Sequence, residues 1–199
     1  MPNLEEIRKN LGSRIANPIV RILGRTGMNP DVLSSIGLAI DIGAAYLVAT
    51  GHFFLGGVLV LIAGLFDLLD GALARFTKQT TKFGAILDST FDRVSEAAIF
   101  CGLLISFMSR GATTLEIVLI FVALVGSFLV SYTRARAEGL GLECKVGLFT
   151  RAERVIVLAI GLLINQIFIA LWVLVGFVYI TVAQRLFYLW RQARTKGVS

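Results

Sequence analysis

Long hydrophobic runs, separated by short polar segments, dominate this chain. Runs of this length are typical of helices that cross a lipid bilayer. The pattern therefore predicts an all-α, polytopic membrane protein with six transmembrane helices. Their predicted ranges are about 32–50, 54–75, 83–108, 115–132, 155–164 and 167–189.

The N-terminal segment has a different pattern. Apolar residues recur at every third or fourth position from Leu4 to Leu23, with three arginines between them. This spacing predicts an amphipathic helix that lies in the membrane interface, its basic residues near lipid phosphates; packing on the bundle as a surface helix is the alternative. Asn29-Pro30 then ends this helix and starts the first span. We predict one domain over residues 1–199, with a juxtamembrane helix in 1–27 and the six-helix bundle in 28–199.

Composition and charge support a membrane location. Hydrophobic residues make up 56% of the 199 residues and charged residues only 16%, and a soluble domain of this size could not bury that much apolar surface. The net charge of +6 does not indicate nucleic acid, because the basic residues lie between apolar runs. This placement instead favours membrane lipids and anionic ligands as partners.

The basic residues also set the orientation. With six spans, both termini lie on one side of the membrane, and nearly all lysines and arginines fall on that side. The turns on the opposite side hold only Arg110. By the positive-inside rule, we predict a multi-pass protein of the cell (plasma) membrane with its termini and active site in the cytosol.

Four aspartates near the cytosolic ends of the second and third spans are the candidate functional residues. Asp67 and Asp70 are three apart on one helix face, about 4.5 Å apart along the axis. Asp88 and Asp92 are four apart and share a face of the next helix. Because a short loop joins the two helices, they are antiparallel neighbours, and all four carboxylates can converge at one depth.

Clustered carboxylates in apolar surroundings must be protonated or neutralised by cations. Hard oxygen ligands suit Mg²⁺, Mn²⁺ or Ca²⁺, so we predict one or two divalent ions and phosphoryl-transfer chemistry. The alternative is a set of buried salt bridges to Arg75 and Arg93, and Asp41 is a candidate for such a pair. Four aspartates at helical spacing disfavour a purely structural role, because buried charge is costly.

Two glycines flank these aspartates. Gly71 follows Asp70 directly, and Gly84 stands one turn before Asp88. Small residues let a flat ring or a phosphate approach the backbone, although close helix packing in membranes also uses glycine. Beside carboxylates we favour ligand approach.

The whole segment resembles the signature of the CDP-alcohol phosphotransferase family. The matching positions are Asp67-x2-Asp70-Gly71-x2-Ala74-Arg75-x8-Gly84-x3-Asp88-x3-Asp92. The resemblance implies that Asp67, Asp70, Asp88 and Asp92 bind Mg²⁺ or Mn²⁺, two ions in all, and that Asp92 is also the general base. It further implies CDP-lipid contacts by a set of nearby residues: Asp31, Ser34, Gly71, Arg75, Thr81 and Gly84.

The reaction implied by the resemblance is a direct displacement. Asp92 takes a proton from an alcohol, the alcohol oxygen attacks the phosphorus that bears the lipid, and CMP leaves. The family also implies a homodimer.

Arginines near the last two spans indicate the acceptor alcohol. Arginine clusters recognise phosphate through paired hydrogen bonds, which favours an acceptor that already carries phosphate. The region resembles the phosphatidylinositol phosphate synthase branch and its archaeal-lipid counterpart. The matching runs are Tyr132-Thr133-Arg134-Ala135-Arg136-Ala137-Glu138, Arg151-Ala152-Glu153-Arg154 and Gln184-Arg185. The resemblance implies CDP-diacylglycerol and inositol 1-phosphate as substrates, with Arg134, Arg154 and Arg185 on the acceptor phosphate.

Other functions remain open at the level of sequence. A phosphatidylglycerophosphate synthase, acting on glycerol 3-phosphate, would also need arginines, and a CDP-archaeol donor would have equally apolar tails. A divalent-cation transporter could use intramembrane carboxylates as an ion site. The position of the aspartates at one end of the spans, beside basic loops, disfavours transport.

Overall fold

The computed structural model describes residue 20 and the ranges 29–78, 80–144 and 146–195. Within them the chain forms six α-helices and no strand, which confirms the all-α class. The helices are α1 (Pro30–Ala49), α2 (Phe53–Phe76), α3 (Lys82–Ser109), α4 (Thr114–Gly139), α5 (Arg151–Leu163) and α6 (Ile167–Thr195). The amphipathic helix predicted for Leu4–Leu23 lies outside the described residues, except for Val20.

Each predicted span corresponds to one of these helices, with two differences at the boundaries. Helix α4 continues to Gly139, beyond the predicted end of the span near residue 132, so the run that contains Arg134 extends that helix. Helix α5 begins at Arg151, because Thr150 and Glu153 form a capping box that fixes its first turn. Helix α1 begins as predicted: Asn29 caps it by accepting a hydrogen bond from the backbone of Asp31, and Pro30 occupies the first turn.

Four helices, α1, α2, α4 and α6, are long and apolar enough to cross a membrane. Helix α3 has sufficient length but carries several charged side chains in its N-terminal half. Helix α5 has only 13 residues, a length of about 20 Å, which is shorter than the hydrocarbon core of about 30 Å. Many large apolar side chains elsewhere face outward, among them Tyr46, Phe83 and Phe121, as expected where lipid replaces water.

The bundle is organised around α1, which packs against both α2 and α3, while α5 packs against α2 and α6 against α4 and α5. A continuous core contains Ala44, Val48, Leu103 and Leu171, all fully buried. Helices α1 and α3 approach each other closely at Gly102, where a Cβ atom would lie 2.4 Å from the carbonyl oxygen of Ala45. This contact holds α3, and with it two of the aspartates, against α1.

Replacing Gly102 should therefore destabilise the bundle. In Gly102→Ala the added methyl group meets backbone that cannot rotate away, and we expect a loss of about 1–3 kcal/mol in the free energy of unfolding. Gly176→Ala is the matched control, because a Cβ atom there meets nothing within 4 Å and alanine favours a helix over glycine. Thermal unfolding of both variants in one detergent tests this, and a Gly102→Ala protein as stable as Gly176→Ala would contradict it.

Candidate active site

Three of the four predicted aspartates meet at one point between α2 and α3. One carboxylate oxygen from each of Asp67, Asp70 and Asp88 lies within 4.8 Å of the other two. Asp70 is buried, Asp67 is half-buried and Asp88 is exposed. One side of the cluster therefore faces the protein interior, and the side at Asp88 is open to the outside of the protein. The convergence predicted from the helical spacing is thus observed for these three residues.

Asp92, the predicted base, lies beside this cluster and is held by arginines. Its Oδ1 atom is 2.8 Å from Nη1 of Arg151, and its Oδ2 atom is 3.1 Å from Nη1 of Arg93. The side chain of Asp92 is 15% exposed. The pairing with Arg93 matches one of the two salt bridges considered from the sequence, so a carboxylate predicted to bind metal also takes part in ion pairs.

Arg151 is a site residue that the sequence analysis did not assign to the site. The same Nη1 atom that contacts Asp92 lies 2.5 Å from Oδ2 of Asp67. The residue occupies the first turn of α5, and the packing of α5 on α2 brings it to the aspartates. The available signal was its spacing of three from Arg154, which places both side chains on neighbouring positions of one helix face.

The floor of the site is formed by α1 and α3. Asp41 is buried there and accepts a hydrogen bond from the side chain of Ser95, and the positive charge of Arg151 also acts on it. The aspartates, Asp41 and Arg151 line a cavity of about 20 Å³. A single water molecule needs about 10–15 Å³ on this measure, so the cavity has room for a water-sized or ion-sized occupant.

The residues predicted to contact the CDP-lipid surround the cluster. Ser34 donates a hydrogen bond of 2.5 Å to Oδ2 of Asp70, which ties α1 to α2. Thr81 caps α3 by accepting a hydrogen bond from the backbone of Gly84, and the Asp31 carboxylate lies close to the same glycine.

The remaining pair of these residues lies on α2. The guanidinium group of Arg75 lies over Gly71, 3.5 Å from the position that a Cβ atom would take there. Small residues at positions 71 and 84 therefore leave room for the charged side chains of Arg75 and Asp31.

The three arginines predicted for the acceptor phosphate are each engaged within the protein. Arg134 pairs with Glu138 one turn away, at 2.8 Å, and both side chains are exposed. Arg185 is buried and donates to the carbonyl oxygens of Val146, at 3.0 Å, and of Val130. The positive charges of Arg134 and Arg154 act on Arg185, so the three arginines share one region.

Arg154 forms a buried, two-point ion pair. Its Nε and Nη2 atoms donate to the two carboxylate oxygens of Glu96, at 2.8 and 3.2 Å. Only 3% of the Arg154 side chain and 9% of the Glu96 side chain are exposed. Glu96 stands one helical turn after Asp92 on α3, so α3 and α5 are joined by two successive acid–arginine contacts.

The loop between α4 and α5 is held against α6 near Arg185. The backbone of Phe149 donates to Thr181, and Arg185 donates to Val146. Gly147 has a φ of +140°, and a Cβ atom there would lie 2.9 Å from a Thr181 methyl carbon. Glycine thus permits both the backbone conformation and the close approach that cover Arg185.

The donor set fits a hard divalent cation. The cluster that could hold a metal ion consists of three carboxylates, and carboxylate oxygens are the ligands that Mg²⁺ and Mn²⁺ prefer. The open side at Asp88 leaves space for ligands that are not supplied by the protein. A divalent cation held by these carboxylates would neutralise a phosphate or pyrophosphate group that enters from that side.

Comparison with known proteins places these residues in a family. Residues 28–186 match the family model described as CDP-alcohol phosphatidyltransferase. The chain is 39% identical to the phosphatidylinositol phosphate synthase of Mycobacteroides abscessus, over 87% of this chain and 83% of that protein. It is 35% identical to the archaetidylinositol phosphate synthase of Pyrococcus horikoshii, over 87% of this chain and 92% of that protein. The family predicted from the aspartate signature is confirmed.

Solved structures agree with this result. The Mycobacterium tuberculosis phosphatidylinositol phosphate synthase with CDP-DAG bound superposes with a TM-score of 0.77 and 36% identity, covering 89% of this chain and 94% of that chain. The same enzyme in complex with manganese and citrate gives a TM-score of 0.78 at 36% identity, covering 87% of this chain and 88% of that chain.

Removing the buried partner of Arg154 should destabilise the protein strongly. Glu96→Ala leaves a buried guanidinium unpaired, at a cost of about 3–5 kcal/mol, which lowers the unfolding temperature by about 10 °C. The matched control is Glu138→Ala, which removes an exposed pair worth about 0.3–0.5 kcal/mol. Thermal unfolding in detergent compares the two, and equal shifts would show that burial of the Glu96 pair does not matter.

Proposed function

The chain belongs to the CDP-alcohol phosphatidyltransferase family, and we propose that it transfers the phosphatidyl group of CDP-diacylglycerol to inositol 1-phosphate, giving phosphatidylinositol phosphate and CMP. The observation that carries this proposal is the carboxylate cluster of Asp67, Asp70 and Asp88, with Asp92 beside it and arginines on the adjoining helices. The names of the similar proteins support inositol phosphate as the acceptor.

Two divalent ions, either Mg²⁺ or Mn²⁺, would be held by the four aspartates Asp67, Asp70, Asp88 and Asp92. Bound there, the metal supplies positive charge to the pyrophosphate and so stabilises the charge that develops on the departing CMP. The manganese complex of the Mycobacterium tuberculosis enzyme supports this assignment. The hydrogen bond from Ser34 fixes the orientation of the Asp70 carboxylate.

Asp92 serves as the general base. One of its carboxylate oxygens accepts the proton of the acceptor hydroxyl group as the acceptor oxygen forms a bond to the phosphorus that carries diacylglycerol. The bond between this phosphorus and the CMP oxygen breaks, and CMP leaves with the bonding electron pair. Burial of Asp92 keeps bulk water away from the reacting hydroxyl group.

The CDP part of the donor is held where α1, α2 and α3 meet. We assign this role to the residues around the cluster: Asp31, Ser34, Gly71, Arg75, Thr81 and Gly84. The small residues at positions 71 and 84 admit the nucleotide next to the backbone, where Arg75 and Asp31 now lie. Arg75 is exposed and can turn toward phosphate oxygens.

Arg134, Arg154 and Arg185 bind the phosphate group of the acceptor. Arg154 and Arg185 are buried and held in fixed orientations by Glu96 and by backbone carbonyls, so they form a rigid electropositive wall. Arg134 is exposed and its ion-pair partner in the described part of the chain is Glu138, a neighbour on its own helix, so its guanidinium can close on a phosphate at small cost.

The membrane arrangement that fits this role is a single domain over residues 1–199. All six helices of residues 28–199 enter the bilayer, the juxtamembrane helix within 1–27 lies at its surface, and the termini and the active site face the cytosol from the plasma membrane. The charged N-terminal half of α3 and the start of α5 then lie at the cytosolic boundary. This depth explains how α5 can be short and why α3 can carry charge at that end.

We further propose that the protein forms homodimers. Outward-facing apolar side chains of α4, among them Leu115, Val118 and Phe121, offer a face that a second copy could cover in place of lipid. Mass measurement of the protein in nanodiscs tests this assignment, since a single chain per disc would exclude it.

Two other acceptor and donor combinations use the same machinery. Glycerol 3-phosphate also carries the phosphate that the arginines would bind, and the similarity to the Pyrococcus horikoshii protein supports a CDP-archaeol donor as the second choice. A divalent-cation transporter is disfavoured, because the carboxylates lie near one end of α2 and α3 rather than along a continuous path.

The reaction is tested by CMP release from CDP-diacylglycerol by purified protein with Mg²⁺ or Mn²⁺. We expect release with inositol 1-phosphate and little with glycerol 3-phosphate, free inositol or serine. In Asp92→Asn, release should fall by about 10²–10⁴-fold, the contribution of a general base. Full activity of a folded Asp92→Asn protein would exclude Asp92 as base, and release with another acceptor alone would overturn the choice of inositol 1-phosphate.

The acceptor site is tested separately by Arg134→Gln. Loss of one charge-assisted hydrogen bond to the phosphate, worth about 1.5–3 kcal/mol, should raise the KM for inositol 1-phosphate by about 10-fold or more. The KM for CDP-diacylglycerol should stay the same. Arg136→Gln, two residues away, provides the control for a general loss of positive charge, and an equal effect in both variants would argue against a specific contact.

A further inference from the structure

One guanidinium nitrogen bridges two carboxylates that belong to different helices. Nη1 of Arg151 is 2.5 Å from Asp67 of α2 and 2.8 Å from Asp92 of α3. Arg93, another arginine at the site, pairs with Asp92 and with no second carboxylate among the described residues, and it donates also to the carbonyl oxygen of Ser89 on its own helix. Arg151 therefore occupies the position between carboxylates that a bridging cation would take.

The oxygens that Arg151 occupies are among those assigned to the metal. A divalent ion binds carboxylate oxygens at about 2.0–2.2 Å, and a positive guanidinium at hydrogen-bond distance from the same oxygens would be repelled by it. The two cations therefore compete for Asp67 and Asp92.

We propose that Arg151 is the exchangeable counter-ion of the carboxylate site, neutralising Asp67 and Asp92 in the metal-free protein and releasing both when a divalent cation binds. This proposal rests on the proposed function, since it assumes that these aspartates take up metal. It assigns to Arg151 a role distinct from that of Arg154, the acceptor arginine on the same helix.

The local structure allows the side chain of Arg151 to move while its backbone stays in place. The capping box of Thr150 and Glu153 fixes the first turn of α5, and Arg154 anchors the same turn to Glu96. The Arg151 side chain is 25% exposed, whereas that of Arg154 is 3% exposed. Exchange thus requires rotation about side-chain bonds toward water and no shift of a helix.

Replacement of Arg151 by a divalent cation would also control whether Asp92 can act as the general base. In the structure both oxygens of Asp92 are paired, one with Arg151 and one with Arg93. Departure of Arg151 removes the guanidinium group from Oδ1 of Asp92, so this carboxylate becomes open to metal and to the acceptor hydroxyl group only after the exchange. The arrangement keeps the base blocked until the charge needed for departure of CMP is in place.

The proposal is tested by Mn²⁺ binding to the full chain in detergent, without substrate, followed by the electron paramagnetic resonance signal of free Mn²⁺. Removal of the competitor in Arg151→Gln should tighten Mn²⁺ binding by about tenfold, a typical coupling between two ligands. Arg151→Lys keeps the charge and should stay close to the wild type. Arg93→Gln is the matched control, because it removes a positive charge from Asp92 without removing the bridge, and should have a smaller effect.

Thermal unfolding gives a second readout that separates exchange from a fixed structural pair. If Arg151 leaves when metal binds, Arg151→Gln should lower the unfolding temperature in EDTA but not at saturating Mn²⁺. An unchanged or weakened Mn²⁺ affinity in Arg151→Gln, or an equal loss of stability in both conditions, would overturn the proposal while Mn²⁺ binding and CMP release by the wild type uphold the proposed function. A wild-type protein that binds no Mn²⁺ and releases no CMP would overturn both.

Discussion

Mutual repulsion of carboxylates in a largely apolar bundle is the constraint on which the site depends. Asp67, Asp70 and Asp88 are held within 4.8 Å of one another, and Asp92 and Asp41 line the same cavity. Such a cluster is stable only with positive charge or hydrogen-bond donors at its oxygens. The surrounding structure supplies both, through arginines from α3 and α5 and hydroxyl groups from α1 and α3. A metal ion would meet the same demand for positive charge. Its charge would then attract a pyrophosphate group.

Two successive ion pairs join α3 and α5, and they differ in how deeply they are buried. Near the cavity, Arg151 pairs with Asp92 and is partly exposed to solvent. One turn further along α3, Arg154 pairs with Glu96, and both side chains are buried. Burial makes the Glu96 pair costly to break, so it fixes the distance between the helices. Partial exposure leaves the Arg151 contacts free to change. A rigid pair beside an exchangeable one lets the site alter its charge without altering its shape.

The region assigned to the acceptor is built by different means. Arg185 is held by backbone carbonyls from α4 and from the loop before α5, and Gly147 lets that loop approach α6 closely. Carbonyl oxygens orient a guanidinium without cancelling its charge, in contrast to the carboxylate partner of Arg154. The two buried arginines therefore combine fixed geometry with net positive charge, which is suited to binding a phosphate group.

The sequence by itself determined the local features of this protein. Hydrophobic runs gave the six helices, the spacing of Asp67 to Asp70 and of Asp88 to Asp92 predicted their shared faces, and the signature they form indicated the family. These features follow from helical periodicity, which acts over a few residues. Only the tertiary structure decided that Arg151 reaches Asp67 across α2 and α5, that Glu96 is the partner of Arg154, and that Ser95 donates a hydrogen bond to Asp41. Each of these contacts joins residues on different helices, and their distances depend on how the helices pack, which no local spacing encodes.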